Sequence, residues 1–237
     1  MAHQSEHKPD EMHQECGIHH QSDCYELKTE LMHHLPYAIS SVAFGLIILS
    51  FLNVIAFMPG AGNDPICRAG GMLFHSFHFL HIVFAATGTL ITYFRFSKQV
   101  VRGIIIGVLS STFFCVLSDI IMPYAVGRLL GVHMHFHVCF MYELHNIIPF
   151  LIAGVVNGYV MSKRPASKQA FYSMSSHFAH IFVSSMASLF YLISHGFSNW
   201  APQMGMVFIS LIVAVVVPCT LSDVVVPIYF ARKDKPQ

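Results

Sequence analysis

The chain alternates long apolar blocks with short polar ones. Six blocks, near residues 35–58, 72–96, 102–126, 146–162, 171–195 and 204–230, have the length and continuity of bilayer-crossing helices. A helix needs ~20 residues to cross the hydrocarbon core. The fourth block is the shortest. Apart from a polar stretch over residues 1–29, only short loops remain. The pattern predicts an all-α, polytopic membrane protein with six transmembrane helices.

Loop charge gives these spans an orientation, because cytoplasmic loops are rich in Lys and Arg. Arg95, Lys98 and Arg102 lie between the second and third spans, and Lys163, Arg164 and Lys168 between the fourth and fifth. Arg232, Lys233 and Lys235 follow the sixth. The remaining loops carry only Arg68 and Arg128. Both termini are therefore expected in the cytoplasm, with Arg128 alone against the rule. Residues 1–29 lack the charged-then-apolar pattern of a secretory leader.

An internal repeat sharpens this picture. The third span ends Cys115-Val-Leu-Ser-Asp119-Ile-Ile-Met-Pro123, with Arg128 beyond. The sixth ends Cys219-Thr-Leu-Ser-Asp223-Val-Val-Val-Pro227, with Arg232 beyond. His78-Phe-Leu-His81-Ile82 recurs as His177-Phe-Ala-His180-Ile181. Glu30-Leu31, Pro36 and Gly45 recur at the same spacing as Glu143-Leu144, Pro149 and Gly158. The matches keep their order, so residues 30–130 and 131–237 form two three-helix repeats after a His-rich tail over 1–29. Three spans per copy invert the second copy. Transporters use inverted repeats with sites at the repeat interface, which sets a prior and no more.

The recurring residues are chemically active. Asp119 and Asp223 are the acidic residues deep in the spans, where a charge costs at least ~2.5–3.5 kcal/mol unless it pairs or lines a cavity. Cys115 and Cys219 sit one turn before them on the same face. Pro123 and Pro227 are expected to kink the helix and free the carbonyls of Asp119 and Asp223. His78 and His81, like His177 and His180, share a helix face at a spacing suited to metal ligation. With the orientation above, His78, His81, Cys115, Asp119, Glu143 and His145 gather toward the outer half. His177, His180, Cys219, Asp223, Glu30 and His33 or His34 gather toward the cytoplasmic half. Two separate sites, or one at the midplane, satisfy the sequence equally.

Composition then narrows the chemistry. The chain has 237 residues, 11% of them charged, and a net charge of +1, so no basic surface suggests nucleic acid. Its six cysteines form no CxxC pair, which argues against a disulfide framework. A single Cys67–Cys139 bridge would need both thiols in an oxidising compartment. His, Cys and carboxylate donors suit zinc or ferrous iron; calcium or magnesium would call for oxygen ligands. The leading expectation is a transporter of a divalent transition-metal cation working by alternating access. A haem-binding redox protein and a zinc-dependent membrane hydrolase are the alternatives, and pairing of two copies is left open.

Three weaker features remain. The tail carries His3, His7, His13, Cys16, His19, His20 and Cys24, a composition that often binds metal. In His133-Met-His135-Phe-His137, strand alternation would put three imidazoles on one side as a capture or release site. Gly103-xxx-Gly107 and Gly154-xxx-Gly158 are expected to let helices approach closely.

Overall fold

The computed structural model describes residues 32, 34–52, 64–137, 139, 143–164, 166–197 and 200–234. The tail, Glu30, His33 and residues 53–58 of the first expected span lie outside them. Among the described residues there is no strand. Six helices are long and apolar enough to cross a membrane. They are α1 (His34–Leu52), α2 (Asp64–Phe96), α3 (Val100–Leu129), α4 (Leu144–Ser162), α5 (Ala166–Ser194) and α6 (Ala201–Arg232).

Burial sorts these helices into an inner pair and an outer shell. In their apolar windows, 67% of α2 and 72% of α5 residues are buried, against 17% for α4. The outer helices show large apolar side chains along one face, as in Ile105, Leu109 and Phe113 of α3 or Ile152, Val156 and Val160 of α4. Such rows at helical spacing face lipid, so the chain has the character of an integral membrane protein. The inner pair instead buries polar groups: His78, His81, Thr87 and Thr89 on α2, and His180, Ser184, Ser185 and Ser188 on α5. α2 packs chiefly against α5, α4 and α3. Gly154 makes the α4 contact close: a Cβ there would lie 2.8 Å from the Val83 carbonyl oxygen. The expected close approach is thus made onto α2, and the Thr87 hydroxyl donates to the Gly154 carbonyl at 3.1 Å.

Two glycine caps shape one end of the bundle. Gly131 follows α3 with φ +80°, and Gly196 follows α5 with φ +122°. After α3, Val132 N–H donates to Gly127 at 3.0 Å and Gly131 N–H to Arg128 at 3.1 Å. After α5, Phe197 N–H donates to Leu192 at 2.9 Å. These are Schellman-type endings, which need a left-handed residue that glycine supplies without strain. They turn residues 132–137 across the end of α5, where His135 N–H donates to the His195 carbonyl at 3.0 Å.

The prolines act differently from the expected kink. Leu117–Ile121 and Leu221–Val225 are single π-helical turns. Met122 N–H donates to the Leu117 carbonyl and Val226 N–H to Leu221, five residues back. In this register the next acceptors are Ser118 and Ser222, and Pro123 and Pro227 have no N–H to offer. The freed carbonyls are therefore those of Ser118 and Ser222, one residue before the aspartates. The inner pair caps both: Ser188 donates to Ser118 at 3.0 Å and Thr89 to Ser222 at 3.1 Å. Thr89 lies eleven residues after His78 and Ser188 eleven after His177, and each makes this contact.

The far end of α6 is tied down by Asp234. Its carboxylate accepts hydrogen bonds from the Tyr93 and Ser97 hydroxyls and pairs with Arg102. The Tyr93 bond above all holds the Asp234 carboxyl below its ordinary range.

Ser188→Ala is expected to lower stability by about 1–3 kcal/mol, the penalty of a buried polar group left unpaired. Thr89→Val should be milder, because Ser110 Oγ also lies 3.4 Å from the Ser222 carbonyl. Thermal unfolding in detergent checks both. Asp234 is stabilised in its ionised form, so its contribution is complete at neutral pH. It is lost as pH falls below about 4. Asp234→Asn should remove that acid-dependent loosening, read by proteolysis of the C-terminal end across pH.

Candidate metal centre

The centre is built where α2 and α5 cross, against the π turns of α3 and α6. On α2, a three-residue step directs His78 and His81 the same way, toward the Asp119 carboxylate. Their Nδ1–H groups both donate to Asp119 Oδ2, at 2.9 and 2.7 Å. On α5, His180 Nδ1–H donates to Asp223 Oδ2 at 2.7 Å. The two halves then meet: His81 Nε2 and His180 Nε2 lie 2.6 Å apart. Cys219 Sγ is 3.8 Å from His81 Nε2. The ligand atoms of His81, His180 and Cys219 all lie within 4.8 Å of one another, and all three residues are buried. Cys115 borders the same imidazole, within interaction range of His81.

The result is a row, Asp119–His81–His180–Asp223, closed at each end by a carboxylate. A histidine that donates Nδ1–H to a carboxylate keeps a lone pair at Nε2. Two such lone pairs cannot face each other at 2.6 Å without a positive charge between them, either a proton or a metal ion. The two ionised carboxylates also need that charge, because helices in lipid leave no water to solvate them. One divalent cation would balance both.

The two halves are not electrically equal. Asp119 Oδ1 accepts from Ser118 at 2.8 Å and Ser184 at 2.9 Å, so both of its oxygens are held. Asp223 Oδ1 is buried without a hydrogen-bond partner among the described residues. Ser184 lies seven residues after His177, and the residue seven after His78 is Ala85, which has no hydroxyl. Opposite stands Gly88, where a Cβ would come within 2.9 Å of Asp223 Oδ2. The glycine lets α2 press directly on the second carboxylate.

The remaining candidate residues are spread along the molecule. His34 and His177 have ring centroids 4.8 Å apart and lie within electrostatic reach of Asp223. Glu143 is not at the centre: its Oε1 is 3.0 Å from His75 Nε2. His145 is exposed on α4. The 133–137 segment is not a strand; His133 and His135 are exposed and His137 alone turns inward. Cys139 is a free, buried thiol. Sequence reasoning missed Ser184, Ser188 and Thr89. Their signal was present as Ser184 and Ser188 at i, i+4, and as Thr89, eleven residues after His78 as Ser188 is after His177.

Ser184→Ala should destabilise the protein by about 1–3 kcal/mol by removing one donor to a buried carboxylate. Ala85→Ser should raise stability by giving Asp223 Oδ1 the donor that Asp119 already has. Paired thermal unfolding curves check the opposite signs.

A comparison of the chain with known protein families, curated proteins and solved structures finds no match.

Proposed function

We propose that the protein transports a divalent transition-metal cation, zinc or ferrous iron, through a centre formed by His81, His180 and Cys219. The observation that carries this is the meeting of two carboxylate-backed imidazole nitrogens and a thiol inside apolar helices. Two histidines with one cysteine are a borderline-soft donor set suited to these ions. A tetrahedral zinc would need nitrogen–nitrogen and nitrogen–sulfur separations of roughly 3.4 and 3.6 Å, from bond lengths of about 2.05 and 2.3 Å. The observed 2.6 and 3.8 Å require only a small opening of the imidazole pair.

In this arrangement the aspartates stand behind the histidines. They accept the Nδ1 protons, fix the tautomer and make the Nε2 lone pairs more basic, as carboxylates behind metal-bound histidines do. Direct binding by Asp119 and Asp223, the simpler inference from sequence, gives way to this supporting part. The residues belong to two repeats, which the loop charges orient as inverted copies. Alternating access would follow from the halves tilting about the shared centre, with His34 and His177 toward one face. The unpartnered Asp223 Oδ1 marks the second half as the less firmly held one.

The alternatives fit less well. Imidazole nitrogens in near contact leave no slot for a haem macrocycle between them. A hydrolytic zinc site needs an open position for water and substrate, whereas His81, His180 and Cys219 are 1%, 2% and 2% exposed. One observation favours a second reading: the 2.6 Å nitrogen pair would also share a proton, making the row a proton path.

Flux into proteoliposomes tests the proposal. Asp119→Asn and Asp223→Asn should each weaken metal binding about 10–100-fold, the usual penalty for losing a group behind a metal ligand. Cys219→Ser and His180→Gln should abolish zinc and ferrous flux. Unchanged metal flux in these variants would sink the proposal, and proton flux without metal would move the function to the second reading.

A further inference from the structure

A second cluster lies toward the glycine-capped end of the bundle. The ligand atoms of His75, His137 and Cys139 lie within 4.8 Å of one another. Two stretches of chain supply its ligands, α2 and the residues between α3 and α4. His75 comes from α2. His137 is held by the Tyr191 hydroxyl, which bridges its backbone N–H at 3.2 Å and its carbonyl at 3.3 Å. Glu143 N–H donates to the Cys139 carbonyl at 2.7 Å, and the Glu143 carboxylate lies within electrostatic reach of the Cys139 thiol.

The tautomer of His75 gives this cluster its chemistry. Its Nδ1–H donates to the Gly71 carbonyl at 2.7 Å, leaving a lone pair on Nε2. That nitrogen is buried and has no hydrogen-bond partner among the described residues. Yet it faces Glu143 Oε1 at 3.0 Å. Two acceptors at that distance, with a thiol and a second imidazole beside them, call for a cation. The separation suits a metal bound to both, since bonds of about 2.0–2.2 Å then meet at close to a right angle.

We propose that His75, His137, Cys139 and Glu143 form a second transition-metal site, distinct from the central one. Its donors, two imidazoles, a thiolate and a carboxylate, select zinc, cobalt or ferrous iron over calcium and magnesium. Position 174, three residues before His177 as His75 is before His78, is Met, so the second histidine row lacks this ligand. His75 is six residues from His81, about 9 Å along the helix. His78 stands between them, with its Nε2 buried and unpartnered among the described residues and Phe74 stacked against its ring. The row lets a cation held at this end pass by way of His78 to the centre. The site itself stands on its own ligands, whether or not the central site carries metal.

Titration of the reduced, full-length protein in detergent with Co²⁺ tests the site through the thiolate-to-cobalt charge-transfer band. Cys139→Ala should bind one cobalt fewer than wild type and keep the equivalent that Cys219→Ser removes. His137→Gln combined with Glu143→Gln changes only partly exposed residues and should weaken the same equivalent at least tenfold. Loss of cobalt in Cys219→Ser but in neither of the other variants would overturn the second site and leave the central one intact. Loss in Cys139→Ala and none in Cys219→Ser would uphold the second site and remove the central one. Cobalt binding equal in Cys139→Ala and wild type would likewise overturn the second site.

Discussion

The contact between His81 and His180 is the point on which the structure turns. Each imidazole is held from behind by a carboxylate, and both carboxylates are buried in helices whose outer faces are apolar. In such surroundings an uncompensated charge is expensive enough to decide which arrangements survive. The two nitrogens at 2.6 Å require a positive charge between them, and the two aspartates require it from either end. Fold and chemistry therefore share one constraint: the inner helices must cross where this charge can sit.

The rest of the fold serves that crossing. Placing an aspartate and a proline four residues apart would normally break a helix near the charge. The π turns absorb the break by shifting the register, and the hydroxyls of Ser188 and Thr89 satisfy the carbonyls that proline abandons. π turns often mark functional positions because they re-aim side chains without ending the helix. Here they do so twice, and the inner pair supplies both caps. The inner helices must therefore be polar where they meet α3 and α6, and the outer helices take over contact with lipid.

Much of this was legible from residue order. Hydropathy gave the six spans, and the chemically unusual recurring residues named His78, His81, Cys115, Asp119, His180, Cys219 and Asp223. Three things were not legible. The π register decides which carbonyl is freed, and proline spacing alone assigns it to the wrong residue. The inequality of the two aspartates depends on Ser184 facing one while Ala85 occupies the matching place, a difference that reads as noise in an apolar helix. The His75 cluster depends on how two glycine caps fold a loop back across a helix end, which brings His137 and Cys139 to a residue more than sixty positions away. Glu143 was grouped with the centre because its repeat position suggested it, but the geometry gives it to His75.

The central claim is that one metal ion is held by His81, His180 and Cys219. X-ray absorption at the zinc edge, on zinc-loaded protein carrying Cys139→Ala, measures that coordination directly. The account requires a shell of imidazole nitrogens at about 2.0–2.1 Å with one sulfur at about 2.3 Å, and the sulfur must vanish in Cys219→Ser. An all-oxygen shell, or a sulfur unaffected by Cys219→Ser, would contradict it.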